Sequence, residues 1–354
     1  MHGEVIQMIS EIGLILFNCL FCIIIFCLTI YLKEKINLNP NYNPIQKIHG
    51  DYTPPYGGIV IFVFFYLNLF LFYKDSVLIE NYILIPAILI FISGSIEDIY
   101  GTISPVIRFL TIFISSIMFV SLSKSLPIID FWILGNFINE NYIVKILFFS
   151  IGLTALSNGT NMIDGMNGLS GFTILTILLS IIIFLKFNDN IEILFNELLF
   201  LICLIIIFLI FNFPLGKIFL GDGGAYWLGW LNGSVLILIF SNNSYNTWIP
   251  VLIIFYPIME VVFSTLRKLL QKKNPLKPDL LHLHLKLYNL LKGPIQRSKK
   301  FNSFTTLCLM PFWSMPLLTI IWVIYYAHIA IGFIIFMSLL YIIYYFIIPY
   351  KGYK

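Results

Sequence analysis

Long apolar runs alternate with short polar segments along the whole chain, and their spacing predicts a bundle of membrane-crossing helices. The runs lie near residues 12–32, 57–73, 82–96, 105–122, 142–157, 168–187, 193–212, 225–241, 248–267, 305–325 and 328–349. An α-helix needs roughly 20 apolar residues to cross the hydrocarbon core. Helices also satisfy their own backbone polar groups, which lipid cannot do. The expected fold is therefore all-α, a polytopic membrane bundle of about eleven transmembrane helices. Residues 1–354 are read as one integral membrane domain, and segment 123–141, with Pro127, Trp132 and Asn139, as a loop on the outer side.

Composition strengthens this reading. The chain is 59% hydrophobic and only 11% charged, whereas soluble proteins carry about 25% charged residues. The placement of its cations matters more than the small net charge of +4. Of 21 Lys and Arg residues, 17 fall on the side holding the loops after spans 1, 3, 5, 7 and 9, the start of span 4 and the C-terminal end. Lys74, Lys124, Lys145 and Lys186 fall opposite. The positive-inside rule makes the first side cytoplasmic, with the N-terminus outside and the C-terminus inside. Segment 268–304 is the large basic cytoplasmic loop. Glu4 and Glu11 before the first run, Lys33 and Lys35 after it, and no small-residue cleavage site argue against a cleavable signal. Cys19, Cys22, Cys27, Cys203 and Cys308 all fall inside apolar runs and read as small fillers rather than ligands.

Five polar motifs interrupt the pattern, and the topology puts all five on the cytoplasmic side. They are Thr53 to Gly58 (TPPYGG), Glu97-Asp98, Asn158 to Gly168 (NGTNMIDGMNG), Lys217 to Gly224 (KIFLGDGG) and Pro278 to His284 (PDLLHLH). Adjacent carboxylates at a helix end suit Mg2+, which takes oxygen ligands and is usually shared with substrate phosphates. Asn158, Asn161, Asp164 and Asn167 recur every third residue, which places them along one helical face or one tight loop. Asp222, set between Gly221 and Gly223, suits a metal–diphosphate site. The same residue could simply cap a helix. No Lys-Ser/Thr of a nucleotide-hydrolysing P-loop follows it. His282 and His284, two residues apart, do not share a helix face, which disfavours a simple zinc pair. Arg108 could pair with a phosphate or with Asp98, and Glu260 is an ionisable residue within a predicted span.

In order and spacing, these motifs over residues 45–290 resemble the polyprenyl-phosphate N-acetylhexosamine-1-phosphate transferase superfamily. NGTNMIDGMNGL and KIFLGDGGAYWLG carry most of the resemblance. It implies a Mg-dependent enzyme, with Mn2+ as a substitute, that moves a sugar-1-phosphate from a UDP-sugar to undecaprenyl phosphate and releases UMP. Such a reaction starts a lipid-linked cell-surface glycan at the cytoplasmic face of a bacterial inner membrane. Motif matching implies Asp98, Asp222, Glu97 and Asp164 as catalytic and Asp222, Asn161 and Asp98 as metal neighbours. Asn158, Asn161, Asn167, Arg108, Lys217, Gly221, His282 and His284 are implied in substrate binding. The implied partners are the UDP-sugar, undecaprenyl phosphate and the bilayer, with no nucleic acid polymer; a homodimer follows by analogy.

The chain departs from the family pattern at Glu97 and Asn167, where Asp is usual. It departs again at Gly223 and Ala225, which replace hydroxyl residues, and at Leu280, which replaces Arg. The His-Leu-His pattern favours the GlcNAc-type branch over MurNAc-pentapeptide enzymes, with a deoxy-amino sugar as another donor. A polytopic transporter and a non-catalytic family member are the competing classes.

Overall fold

The computed structural model describes residues 2–32, 53–188, 194–241, 245–277, 279–292 and 299–349. Lys33, Lys35, Lys47, Arg297, Lys351 and Lys354, which helped set the expected topology, lie outside the described residues, as does Pro278 of the fifth motif. Among the described residues there are fifteen α-helices, one 3-10 turn and no strand. The helices are α1 (His2–Tyr31), α2 (Gly57–Phe72), α3 (Asn81–Tyr100), α4 (Pro105–Leu122), α5 (Trp132–Glu140), α6 (Tyr142–Ile163), α7 (Leu169–Phe187) and α8 (Phe195–Asn212). They continue with α9 (Gly221–Phe240), α10 (Trp248–Ile253), α11 (Phe255–Leu270), α12 (Leu283–Lys292), α13 (Lys299–Cys308), α14 (Met310–Tyr325) and α15 (Ile329–Ile347).

Every expected apolar run coincides with helix, but the expected count of eleven spans does not follow. Seven helices are long and apolar enough to cross a membrane, or eight if the pair Phe301–Cys308 and Met310–Tyr325, bent by 41°, is one span. Phe17–Tyr31 and Gly57–Phe72 are apolar but shorter. The run at 248–267 is broken at Ile254 between α10 and α11. Pro257 explains the break, because it has no N–H for the carbonyl of Ile253 and its ring crowds that carbonyl. Pro311 acts likewise on the carbonyl of Leu307 beside the bend at Leu309. The expected loop 123–141 also needs correction, since it contains α5. Asn139 closes that segment by accepting from Ile129 N–H at 3.1 Å and donating to Ile129 O at 2.9 Å. Ile133, Leu134 and Phe137 on α5 are exposed, as suits a short helix lying in a membrane interface.

The outer helices turn large apolar side chains outward, among them Phe17, Ile114, Ile210, Leu318 and Phe346, so the protein is a multi-pass membrane bundle. Its axis is α9, which is buried almost throughout and packs mainly on α3 and α6, with α2 and α7 beside it. Small residues make this possible. A Cβ on Gly94 of α3 would sit 2.5 Å from Gly223 Cα, and one on Gly58 of α2 would sit 2.2 Å from Gly224 Cα. Helices in lipid associate through such close backbone approach. Three helices therefore meet at the N-terminal end of α9, where the polar motifs gather.

Candidate active site

Two local signals fold the α3–α4 connection. Gly101 ends α3 in the left-handed region (φ +64), donating its N–H to Glu97 O at 2.8 Å. Ser104 then caps α4, accepting from Ile107 N–H at 3.3 Å, with Pro105 at the start of the helix. Glu97 Oε2 accepts from Ile103 N–H at 2.8 Å and holds the turn shut. The reversal returns Arg108 to 3.8 Å from Glu97 Oε1 and into an ion pair with Asp222.

Asp98, one turn beyond Gly94, is buried against the first turn of α9. Its Oδ1 accepts from Asp222 N–H at 2.8 Å and its Oδ2 from Gly223 N–H at 3.0 Å. These N–H groups have no partner within their own helix, and the helix end is positive. Asp98 is thus the cap of α9, a role the sequence alone allowed to Asp222. Asp222 instead turns its carboxylate outward, where its side chain is 21% exposed and meets Arg108 and the Asn161 amide. Gly221, in the left-handed region (φ +81), enters α9 where no side chain fits, since a Cβ there would lie 2.3 Å from Pro55 O. The 53–58 motif clamps this approach. Pro54 O accepts from Phe219 N–H at 3.0 Å, and Gly57 and Gly58 N–H donate to Phe219 O and Leu220 O at 2.9 and 2.8 Å.

Asp164, the residue capping the C-terminal end of α6, completes the group. Its Oδ2 accepts from Gly221 N–H at 3.3 Å and its Oδ1 from the Ser170 hydroxyl. Burial pushes its carboxyl up to about 8, against those two bonds, which favour the ionised form, while the nearby Asp222 charge adds to the rise. A carboxyl raised on folding binds more protons in the folded than in the unfolded protein between the two values. Stability of the ligand-free protein therefore falls as pH rises from about 4 toward about 8. Thermal melts in detergent should show this slope, and Asp164→Asn should flatten it; an unchanged slope removes Asp164 as its source.

The structure brings together Glu97, Asp98, Arg108, Asn161, Asp164 and Asp222. Asn158 and Asn161 are helical, because α6 runs on to Ile163 rather than stopping before the motif. Asn158 is half-buried and donates to Thr154 O at 2.8 Å. Asn167 stands apart from the carboxylates. Fully buried, it donates to Pro214 O at 3.0 Å and to the Ser303 hydroxyl at 3.2 Å, and its own carbonyl accepts from Thr306. Its contacts tie α7 to the segment after α8 and to α13. Lys217 is exposed, with no ion pair among the described residues.

The two histidines form a second cluster. Their rings stack 5.6 Å apart at 15°, and both face the fully buried Glu260 of α11. Arg267 holds Asp279, its Nη2 lying 2.9 Å from Oδ2, and Asp279 Oδ1 lies 3.6 Å from His282 Nε2. Burial holds the His284 imidazole below its ordinary value, with Glu260 opposing. Ser170, Asp279, Arg267, Asn302 and Ser303 were not singled out from the sequence. Only Asp279 carried a signal, its place inside the PDLLHLH motif.

The residues present fit a hard divalent cation. Among the described residues no group of three or more His, Cys, Asp or Glu could hold a metal ion. Asp222 nevertheless offers a partly open carboxylate, and the Asn161 amide that hydrogen-bonds it carries a second oxygen that a rotation of the amide would bring to the same ion. Mg2+ is commonly held by one or two carboxylates together with substrate phosphates and water. Both oxygens of Asp98 are engaged by backbone N–H groups, so Asp98 sits behind that position.

The glycosyl transferase family 4 model matches residues 81–240, which carry all six of these residues. An undecaprenyl-phosphate alpha-N-acetylglucosaminyl 1-phosphate transferase of Thermotoga maritima is 30% identical over 241 residues, 68% of this chain and 69% of the relative. The chain belongs to glycosyl transferase family 4. A Bacillus subtilis protein named probable undecaprenyl-phosphate N-acetylglucosaminyl 1-phosphate transferase is 27% identical over 250 residues, 68% of this chain and 67% of its own length. A phospho-N-acetylmuramoyl-pentapeptide-transferase of Dictyoglomus thermophilum is 29% identical over 230 residues, 60% of this chain and 71% of its own length. Within this family 4 member, the match begins and ends with α3 and α9, the helices that carry the acidic pair and Asp222.

Proposed function

We propose that this family 4 protein transfers a sugar-1-phosphate, most naturally N-acetylhexosamine-1-phosphate, from a UDP-sugar to undecaprenyl phosphate and releases UMP. The observation that carries this reading is the meeting of four carboxylates, an arginine and an asparagine at one end of a lipid-facing bundle. In the proposed orientation, that end is the cytoplasmic face of a bacterial inner membrane. There a soluble UDP-sugar can meet the headgroup of a lipid phosphate.

In the proposed reaction an oxygen of undecaprenyl phosphate attacks the β-phosphorus of the donor. The bond from that phosphorus to the bridging oxygen breaks, and UMP leaves with the oxygen. Phosphate monoesters have a second pKa of about 6, so the attacking group needs little help from a base. Positioning and charge neutralisation carry most of the catalysis in such transfers. Arg108 supplies positive charge for the diphosphate, exchanging part of its contact with Asp222. Asp222 and Asn161 would hold a Mg2+ or Mn2+ ion, which neutralises diphosphate charge when bound. Asp98 keeps the first turn of α9 rigid and so aims Asp222. Glu97 fixes Arg108 from the other side. Asp164 and Asn158 face the donor; Lys217, His282 and His284 are assigned to its outer parts, and Gly221 and Asn167 shape the turns.

The test is product analysis with detergent-purified protein, undecaprenyl phosphate, Mg2+ and a panel of UDP-sugars that includes MurNAc-pentapeptide and deoxy-amino sugars. Mass spectrometry of the lipid fraction should find one undecaprenyl diphosphosugar. Folded protein that forms no such lipid from any donor overturns the proposal.

A further inference from the structure

Among the described residues, Glu260 is the one fully buried carboxylate that the proposed reaction leaves unused. Its side chain is 0% exposed and lies on α11, away from the family match at 81–240. A buried carboxylate is expensive unless every lone pair is met. Here four groups converge. The Tyr256 hydroxyl donates at 3.4 Å, the Tyr341 hydroxyl of α15 also hydrogen-bonds it, His282 Nδ1 lies 3.4 Å from Oε2, and His284 Nδ1 lies 3.7 Å from Oε1. At 3.7 Å from Oε1, His284 Nδ1 is beyond hydrogen-bond length and has no closer partner among the described residues, so the Glu260 carboxylate is the acceptor it faces.

The two ends of the His284 imidazole are thereby distinguished, whereas His282 lies between two carboxylates. With Nδ1 turned to Glu260, His282 Nε2 faces Asp279 at 3.6 Å. The Nε2 edge of His284 comes within 3.6 Å of where a Cβ on Gly165 would sit. Gly165 directly follows Asp164 and has no side chain to shield that edge. A hydrogen bond at one ring nitrogen sets which tautomer is present and what the other nitrogen can offer. Tyr341 comes from α15 and Glu260 from α11, so the histidine segment is tied to two helices at once.

We infer that Glu260 is a positioning residue that fixes the ring orientation of His282 and His284 and the Nδ1–H tautomer of His284, presenting His284 Nε2 at the Asp164–Gly165 turn to a hydrogen-bond donor of the sugar nucleotide. This inference rests on the transfer reading only for the identity of that ligand. The stacked pair is the consequence of one carboxylate with two oxygens, each facing one imidazole.

The test uses the full chain in detergent with 15N-labelled histidine. In the wild type, the ring 15N shifts of His284, assigned with a His284→Gln variant, should report an Nδ1–H ring. Glu260→Gln keeps the shape but removes the charge. It should shift the His284 ring toward mixed tautomers and raise KM for the UDP-sugar about 10- to 100-fold, the range seen when a carboxylate that orients a metal-ligating histidine is lost. KM for undecaprenyl phosphate should stay within twofold, and Glu260→Asp should recover part of the donor KM. Unchanged tautomers in Glu260→Gln overturn the inference, and so does a fall in kcat and melting temperature with donor KM unchanged. Should Glu260→Gln not fold, Tyr341→Phe removes one of the two hydroxyl donors and should move the same two readouts less far; no movement there is equally fatal. A wild type that shows no turnover would sink the transfer reading, and the tautomer measurement would still judge Glu260.

Discussion

Asp222→Asn should lower the rate of transfer by about 10³-fold or more while leaving insertion and melting temperature close to wild type. The magnitude follows from losing a charge that organises both Arg108 and a diphosphate-bound cation; removing a single preorganised electrostatic group commonly costs 10²- to 10³-fold, and a charge-neutralising arginine more. The fold should survive because Asp222 does not cap its own helix. Asp98 still accepts from the N–H groups of residues 222 and 223 in the variant. The first-turn charge is worth about 0.3–1 kcal/mol, and Arg108, which loses its ion pair with Asp222, keeps Glu97 at 3.8 Å and can still donate to the new amide oxygen. A near-normal rate would remove Asp222 from the site, and a collapsed melt would show that its role is packing.

Gly94→Ala should behave in the opposite way, losing stability and activity together. The new methyl would lie 2.5 Å from Gly223 N and Cα and 2.7 Å from Asp222 C, all backbone atoms that cannot rotate aside. α3 must therefore withdraw from α9, and overpacking of this kind costs about 1–3 kcal/mol. Asp98 lies four residues on, on the same helical face, so the withdrawal pulls its carboxylate off the end of α9 and misaims Asp222. Gly332→Ala is the control, because a Cβ there meets nothing within 4 Å. Thermal melts and initial rates on the three proteins check the claim. A wild-type melt for Gly94→Ala would show that the helices do not pack this closely.

The contrast between these variants marks what the sequence made legible. Asp222, Asn161, Asp164 and Glu97-Asp98 were readable because short motifs with glycine and acid spacing sit at the ends of apolar runs. That Asp98 caps α9 was not readable, since its partners lie 124 and 125 residues away and arise from a helix–helix contact between Gly94 and Gly223. Asn167 shared the three-residue spacing of its motif but falls past the end of α6. There the left-handed Gly168 turns the chain and buries Asn167 against the segment after α8. The histidines were judged by helix geometry, yet His282 precedes α12 and His284 lies in its first turn, so both rings can face Glu260. Hydropathy located the helices without their breaks, because Pro257 and Pro311 sit within apolar sequence and act through carbonyls three or four residues earlier.

The most direct test of the account is the identity of the nucleotide released from UDP-GlcNAc, with and without undecaprenyl phosphate. Attack at the β-phosphorus predicts UMP, formed in step with the lipid product, dependent on lipid and lost in EDTA and in Asp222→Asn. Release of UDP would mean that the sugar alone is transferred, and UMP formed without lipid would mean hydrolysis. Either result would contradict sugar-1-phosphate transfer at this site.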